Sequence, residues 1–87
     1  MDPRVIECVP NFSEGRDRAR LDAIAEVVRG VPGVSLLDVD PGADTNRTVF
    51  TFVGAPEPVL EAAFRAIAKA AQILDMVQRL LGQPHAE

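Results

Sequence analysis

Two small groups of polar side chains stand out from an otherwise ordinary apolar chain. Asn11, Ser13 and Glu14 follow a short apolar run and precede a helix-like pattern. A loop at the C-terminal end of a strand can hold the polar groups of a substrate. Asn and Ser are equally at home in a turn that leads into a helix. Asn46 and Arg47 form the second group, at the head of the most strand-like segment. A guanidinium forks onto a carboxylate with two hydrogen bonds. The pair therefore reads either as a grip for a carboxylate ligand or as an exposed strand start, with Arg47 paired to Asp40 or Asp44.

Other reactive residue types offer less. Cys8 is the only cysteine, so one chain forms neither a disulfide nor a thiolate metal cluster. It sits mid-strand, and the one histidine, His85, is at the far terminus, so an inert buried thiol is expected. Asp38, Asp40 and Asp44 lack the spacing and distal glutamate of a calcium loop and read as a solvated acidic turn, with no metal. Nine Lys+Arg against 13 Asp+Glu give a net charge of −4, and the basic residues are scattered. With no Trp and no Tyr, neither a phosphate-tracking patch nor a base-stacking platform is present, which argues against nucleic acid. The apolar stretch at 59–81 is interrupted by Glu61, Arg65, Lys69, Asp75 and Arg79, so no membrane span is expected. No signal-peptide pattern follows Met1, and the lone thiol suits a reducing compartment, so the expected location is the cytoplasm.

The elements that must position these residues follow from periodicity. Residues 4–10, an apolar run between Pro3 and Pro10, read as a buried strand. Asp17 is placed to cap a helix whose face is Leu21, Ile24, Val28 and Val31, and Gly30 with Pro32 and Gly33 ends it. Residues 34–39 and 45–54 read as two strands joined by an acidic turn, hence an antiparallel hairpin. A long helix then runs from the Pro56–Pro58 segment to about Leu81, with one stripe at Leu60, Ala63, Ile67, Ala70, Leu74, Val77 and Leu81. Its first half is expected in the core and its last turns on a self-association surface. A second stripe is Ala66, Ile73, Met76 and Leu80.

The 87 residues allow a single α/β (α+β) domain. The order β-α-β-β-α is an incomplete ferredoxin-like unit with the final strand missing. The missing strand would lie beside the first one and leave its edge open. A chain of this size is marginal alone, so a homo-oligomer is expected. The candidate contacts are the C-terminal part of the last helix, from Met76 to Leu81, and the first-strand edge.

Three segments together resemble the N-terminal subdomain of glutamate formiminotransferase. They are Glu7 to Gly15 (ECVPNFSEG), Leu36 to Asp40 with Gly42, and Thr45 to Gly54 (TNRTVFTFVG), with Asp75-Met76 resembling the end of the following helix. The match covers residues 4–76 without gaps and leaves a divergent tail at 77–87. The resemblance implies a ferredoxin-like α/β subdomain. It also implies transfer of a formimino group from N-formimino-L-glutamate to tetrahydrofolate, the folate step of histidine breakdown, with tetrahydrofolate as cosubstrate. On this reading Asn11, Ser13, Glu14, Asn46 and Arg47 are substrate-binding residues.

The tail departs from the family pattern. The family continues H-x-G-x-H-P-R-x-G, and its second histidine is the acid–base residue. Aligned without gaps, Arg79 stands at the first histidine and Gln83 at the second, while Pro84 matches. Glutamine does not exchange a proton near neutral pH. His85, two positions on, is a weak substitute. The segment and the second subdomain that walls the folate cleft are expected to be missing. Two readings stay open. One is a transferase component that is inactive in isolation and needs a partner chain to supply the rest. The other is a non-catalytic, self-associating remnant that binds a small carboxylate ligand or a partner subunit.

Overall fold

The computed structural model describes residues 4–80, with the side chains of the last helix described through Ile73. The elements are β1 (Ile6–Cys8), β2 (Asn11–Phe12), α1 (Arg18–Arg29), β3 (Val34–Gly42), β4 (Arg47–Gly54) and α2 (Pro56–Leu80). All strands are antiparallel, with β4 central. β1 and β2 flank it on one side and β3 on the other. β1 and β2 are one strand with a local break. Cys8 faces Phe52 and Asn11 faces Val49, so the register runs through the gap unchanged. The Phe50 N–H donates to the Pro10 carbonyl at 3.0 Å, but Pro10 has no N–H to return. The first strand is therefore longer than its apolar run, and it delivers Asn11 to the sheet.

The hairpin of β3 and β4 forms as expected. β3 runs past Val39 to Gly42, and its register shifts between Leu36 and Asp38. The extra residue is Leu37, an interruption of the bulge type. The arrangement is α+β and matches a partial ferredoxin-like unit. No helix among the described residues is long and apolar enough to cross a membrane.

One face of the sheet is covered by the helices. Asp17 caps α1 by accepting from the N–H groups of Ala19 and Arg20, and Gly30 closes the other end. Leu21, Ile24, Val28 and Val31 are buried, as their spacing requires, over Phe50 and Phe52. The long helix differs from its expected orientation. The buried side chains of α2 are Val59, Ala62, Ala66 and Ala70, whereas Leu60 and Ile67 are 71% and 60% exposed. Two bulky β4 rings fill the layer between sheet and helices, so the helix that approaches them turns its alanines inward. Closeness is severe at the end of β4, where a Cβ on Gly54 would lie 2.3 Å from the Gly33 carbonyl oxygen. Met76 to Leu81, the expected self-association turns, have side chains outside the described residues, as do Gln83 and His85.

Candidate functional site

The alternation along β4 divides its side chains between two environments. Thr48, Phe50 and Phe52 are buried under the helices, so Arg47, Val49, Thr51 and Val53 project from the opposite face. Cross-strand pairing then assembles a row on that open face. Asn11 of β2 and Asp40 of β3 both face Val49, while Arg47 faces Gly42. Together with Thr45 these residues line a depression of about 520 Å³. Its floor at Val49 is apolar, and its rim carries a carboxamide, a carboxylate and a guanidinium. Arg47 makes no ion pair with either Asp40 or Asp44. The rim can take an anionic group on Arg47 and Asn11, and a cationic or N–H-bearing group on Asp40.

The other candidate residues lie apart from this depression. Glu14 is buried, and its carboxylate is already occupied. One oxygen accepts the N–H groups of Arg16 and Asp17 at 3.1 Å each, and the other meets Arg20 Nη1 at 2.6 Å. Burial pushes its pKa up, but the Arg20 hydrogen bond, the two backbone donors and the Arg20 charge outweigh that and hold it below its ordinary value. Its backbone carbonyl accepts from the buried Thr48 hydroxyl. Asn46 has a positive φ of 52°, a left-handed turn conformation that Asn tolerates. Its Oδ1 accepts the Gly15 N–H at 2.9 Å. Arg16 Nε donates to the Ala43 carbonyl at 3.0 Å. These bonds staple the loop before α1 to the hairpin turn. Ser13 is beside Phe12, Ile24 and Ile73 in a narrow, largely apolar crevice.

The structure thus brings Asn11 and Arg47 together, and sets Glu14 and Asn46 beneath and beside them as fasteners. Asp40, Thr45 and Gly15 were not among the sequence-derived candidates. Gly15 is required by contact: a Cβ there would lie 2.7 Å from the backbone N and O of Arg47 and from the Gly42 carbonyl. Asp40 was readable only as part of an acidic turn, because the β-bulge that decides its facing is invisible in the residue pattern. Cys8 is a half-buried free thiol whose pKa burial pushes up, the wrong direction for a nucleophile. Among the described residues no three His, Cys, Asp or Glu side chains cluster tightly enough to hold a metal ion.

Comparison with known proteins decides the lineage. The family model for the formiminotransferase domain, N-terminal subdomain, matches residues 5–84. The chain belongs to this family. The formiminotransferase subdomain is 55% identical over 73 residues to a formimidoyltransferase-cyclodeaminase of Sus scrofa, covering 84% of this chain and 14% of that protein. It is 51% identical over 75 residues to a protein of the same name from Dictyostelium discoideum, covering 86% of this chain and 14% of that one. A glutamate formimidoyltransferase of Streptococcus pyogenes is 41% identical over 75 residues, 86% of this chain and 25% of its own length. The formiminotransferase subdomain therefore spans between 14% and 25% of these relatives.

Proposed function

We propose that this chain forms one wall of a formimino-transfer site, with Arg47 and Asn11 holding a substrate carboxylate. The reaction is transfer of the formimino group from N-formimino-L-glutamate to tetrahydrofolate, in the folate branch of histidine catabolism and in the cytoplasm. The observation that carries this reading is the guanidinium of Arg47. It stands beside Asn11 over the apolar Val49, with no ion pair to the nearby aspartates. Both substrates bear carboxylates, and a forked donor beside a carboxamide suits that group. Asp40, on the same rim, suits the cationic amidine end of formiminoglutamate. Tetrahydrofolate enters as cosubstrate, and its pterin accepts the transferred group.

The isolated chain binds without turning over. Transfer needs a group that exchanges a proton at the amidine, and Gln83 stands where the family has its acid–base histidine. The depression is also open on one side, so water is not excluded until a second wall closes it. The rest of the transferase, in the same polypeptide or in a partner chain, would supply both.

Calorimetric titration of the chain with formiminoglutamate and, separately, with tetrahydrofolate tests the reading. We expect saturable heat with at least one of them, weakened roughly tenfold by Arg47→Ala. Absence of heat with both, or heat that Arg47→Ala leaves unchanged, would refute the placement of the site.

A further inference from the structure

We propose that Thr48 and Asn46 are positioning residues for the carboxylate grip, an inference that rests on the reading of Arg47 and Asn11 given above. They clamp one peptide group across the Arg47 backbone and so hold Arg47 and Asn11 in a single register. Recognition on the open face of the sheet then depends on a hydroxyl buried beneath the other face.

Thr48 is 0% exposed and shares the helix-covered face of β4 with Phe50 and Phe52. A hydroxyl in such a place costs free energy unless it is bonded. Thr48 donates to the Glu14 carbonyl, in the loop before α1. Asn46, on the other side of Arg47, has a positive φ of 52°, and its Oδ1 accepts the Gly15 N–H at 2.9 Å. The Glu14 carbonyl and the Gly15 N–H are the two ends of one planar peptide group. The side chains before and after Arg47 therefore grip the same rigid unit from opposite ends. Gly15 closes the clamp, because a Cβ there would lie 2.7 Å from both the N and the O of Arg47. The loop is itself anchored. The Glu14 carboxylate accepts from the N–H groups of Arg16 and Asp17 and from Arg20.

The backbone ladder alone gives little hold on this register. β2 pairs with β4 at two positions, Asn11–Val49 and Phe12–Thr48, and Pro10 before them has no N–H to donate. A slip of one residue would turn Asn11 from the open face to the helix face. The Thr48 and Asn46 bonds continue the attachment beyond Phe12, where the ladder stops. The Arg47 side chain makes no ion pair, so the placement of its backbone decides where the guanidinium can reach. A donor held in place before the ligand arrives has less ordering left to lose on binding.

Calorimetric titration with N-formimino-L-glutamate and with tetrahydrofolate is the test, under conditions where circular dichroism shows each variant folded. A purely structural Thr48 would alter stability and leave the affinity of the folded chain alone. Thr48→Val keeps the branched shape and loses the hydroxyl. It is expected to weaken binding about three- to tenfold. Thr48→Ser keeps the hydroxyl and should bind as wild type does, although its lost methyl lowers stability. Asn46→Gly keeps the positive φ and loses the acceptor for Gly15. It is expected to weaken binding by a similar factor, and it carries the test if Thr48→Val does not fold. In an Arg47→Ala background most of the Thr48→Val effect should disappear. Suppose Arg47→Ala weakens binding while folded Thr48→Val and Asn46→Gly bind as wild type, or Thr48→Ser loses as much affinity as Thr48→Val. Either result would overturn the positioning role and leave the site reading standing. No heat with the wild-type chain, or heat indifferent to Arg47→Ala, would overturn the site reading itself, and the positioning role falls with it.

Discussion

Glu14 separates a structural from a ligand-binding role most sharply. It is 7% exposed, and one carboxylate oxygen takes two backbone N–H groups while the other takes Arg20. Glu14→Ala removes all three bonds and leaves the N–H groups short of partners. Because Arg20 keeps about a third of its side chain in water, the loss falls below that of a fully buried pair, at about 2–3 kcal/mol. Glu14→Gln keeps an oxygen for the two N–H groups but turns an amide toward Arg20, costing about 1–2 kcal/mol. The pH dependence has a definite sign. The folded pKa lies below the ordinary value of 4.5. The stabilisation is thus fully present above that value and fades as pH falls through the folded one. The gap between wild type and Glu14→Gln should narrow on acidification. Urea unfolding across pH measures this. If both variants unfold within about 0.5 kcal/mol of wild type, or if the gap widens in acid, the fastening role is refuted. A loss of ligand heat without loss of stability would return Glu14 to the binding site.

Four further outcomes follow from the same geometry. Gly15→Ala would drive a methyl into backbone atoms of Arg47 and Gly42, and a cost of at least about 2 kcal/mol is expected in urea unfolding. Asn46→Ala loses both a residue type that tolerates positive φ and the bond to Gly15. It should cost about 1–2 kcal/mol by the same measurement, with Asn46→Gly costing less. Ile24→Ala, at a position 2% exposed, should cost about 2–5 kcal/mol. Leu60→Ala, at a position 71% exposed, should leave urea unfolding within about 0.5 kcal/mol of wild type.

Much of the fold was legible because local signals agreed with one another. The Asp17 cap, the Leu21–Ile24–Val28–Val31 face and the Gly30 stop all concern α1, and each holds. The hairpin followed from two strand patterns and a short turn. α2 was harder to read. Its heptad-like spacing is shared by an inward alanine face and an outward Leu60–Phe64–Ile67 ridge. Hydrophobicity alone favours the larger residues, whereas steric closeness to Phe50 and Phe52 selects the smaller ones. The candidate site was partly legible for a similar reason. The residue types of Asn11 and Arg47 announce their chemistry. Which polar residues remain available depends on non-local bonds, such as Asn46 to Gly15 across the hairpin. Sequence spacing carries no trace of those bonds.

The two faces of the sheet divide the work of this chain. β4 sends Thr48, Phe50 and Phe52 under the helices and Arg47 and Val49 to the open side. Core packing and the proposed ligand contact therefore sit on alternate residues of one strand. The coupling between them is direct, because Thr48 holds the Glu14 carbonyl and Gly15 rests on the Arg47 backbone. The loop before α1 thus rests directly on the hairpin turn beside Arg47. A substitution at Gly15 should then disturb ligand binding without touching ligand, while a substitution on the helix side of β4 at Phe52 should lower stability first. The floor of the depression at Val49 is apolar and open. A carboxylate held only by exposed donors gains little over water, and closing the depression is what would make the Arg47 fork strong.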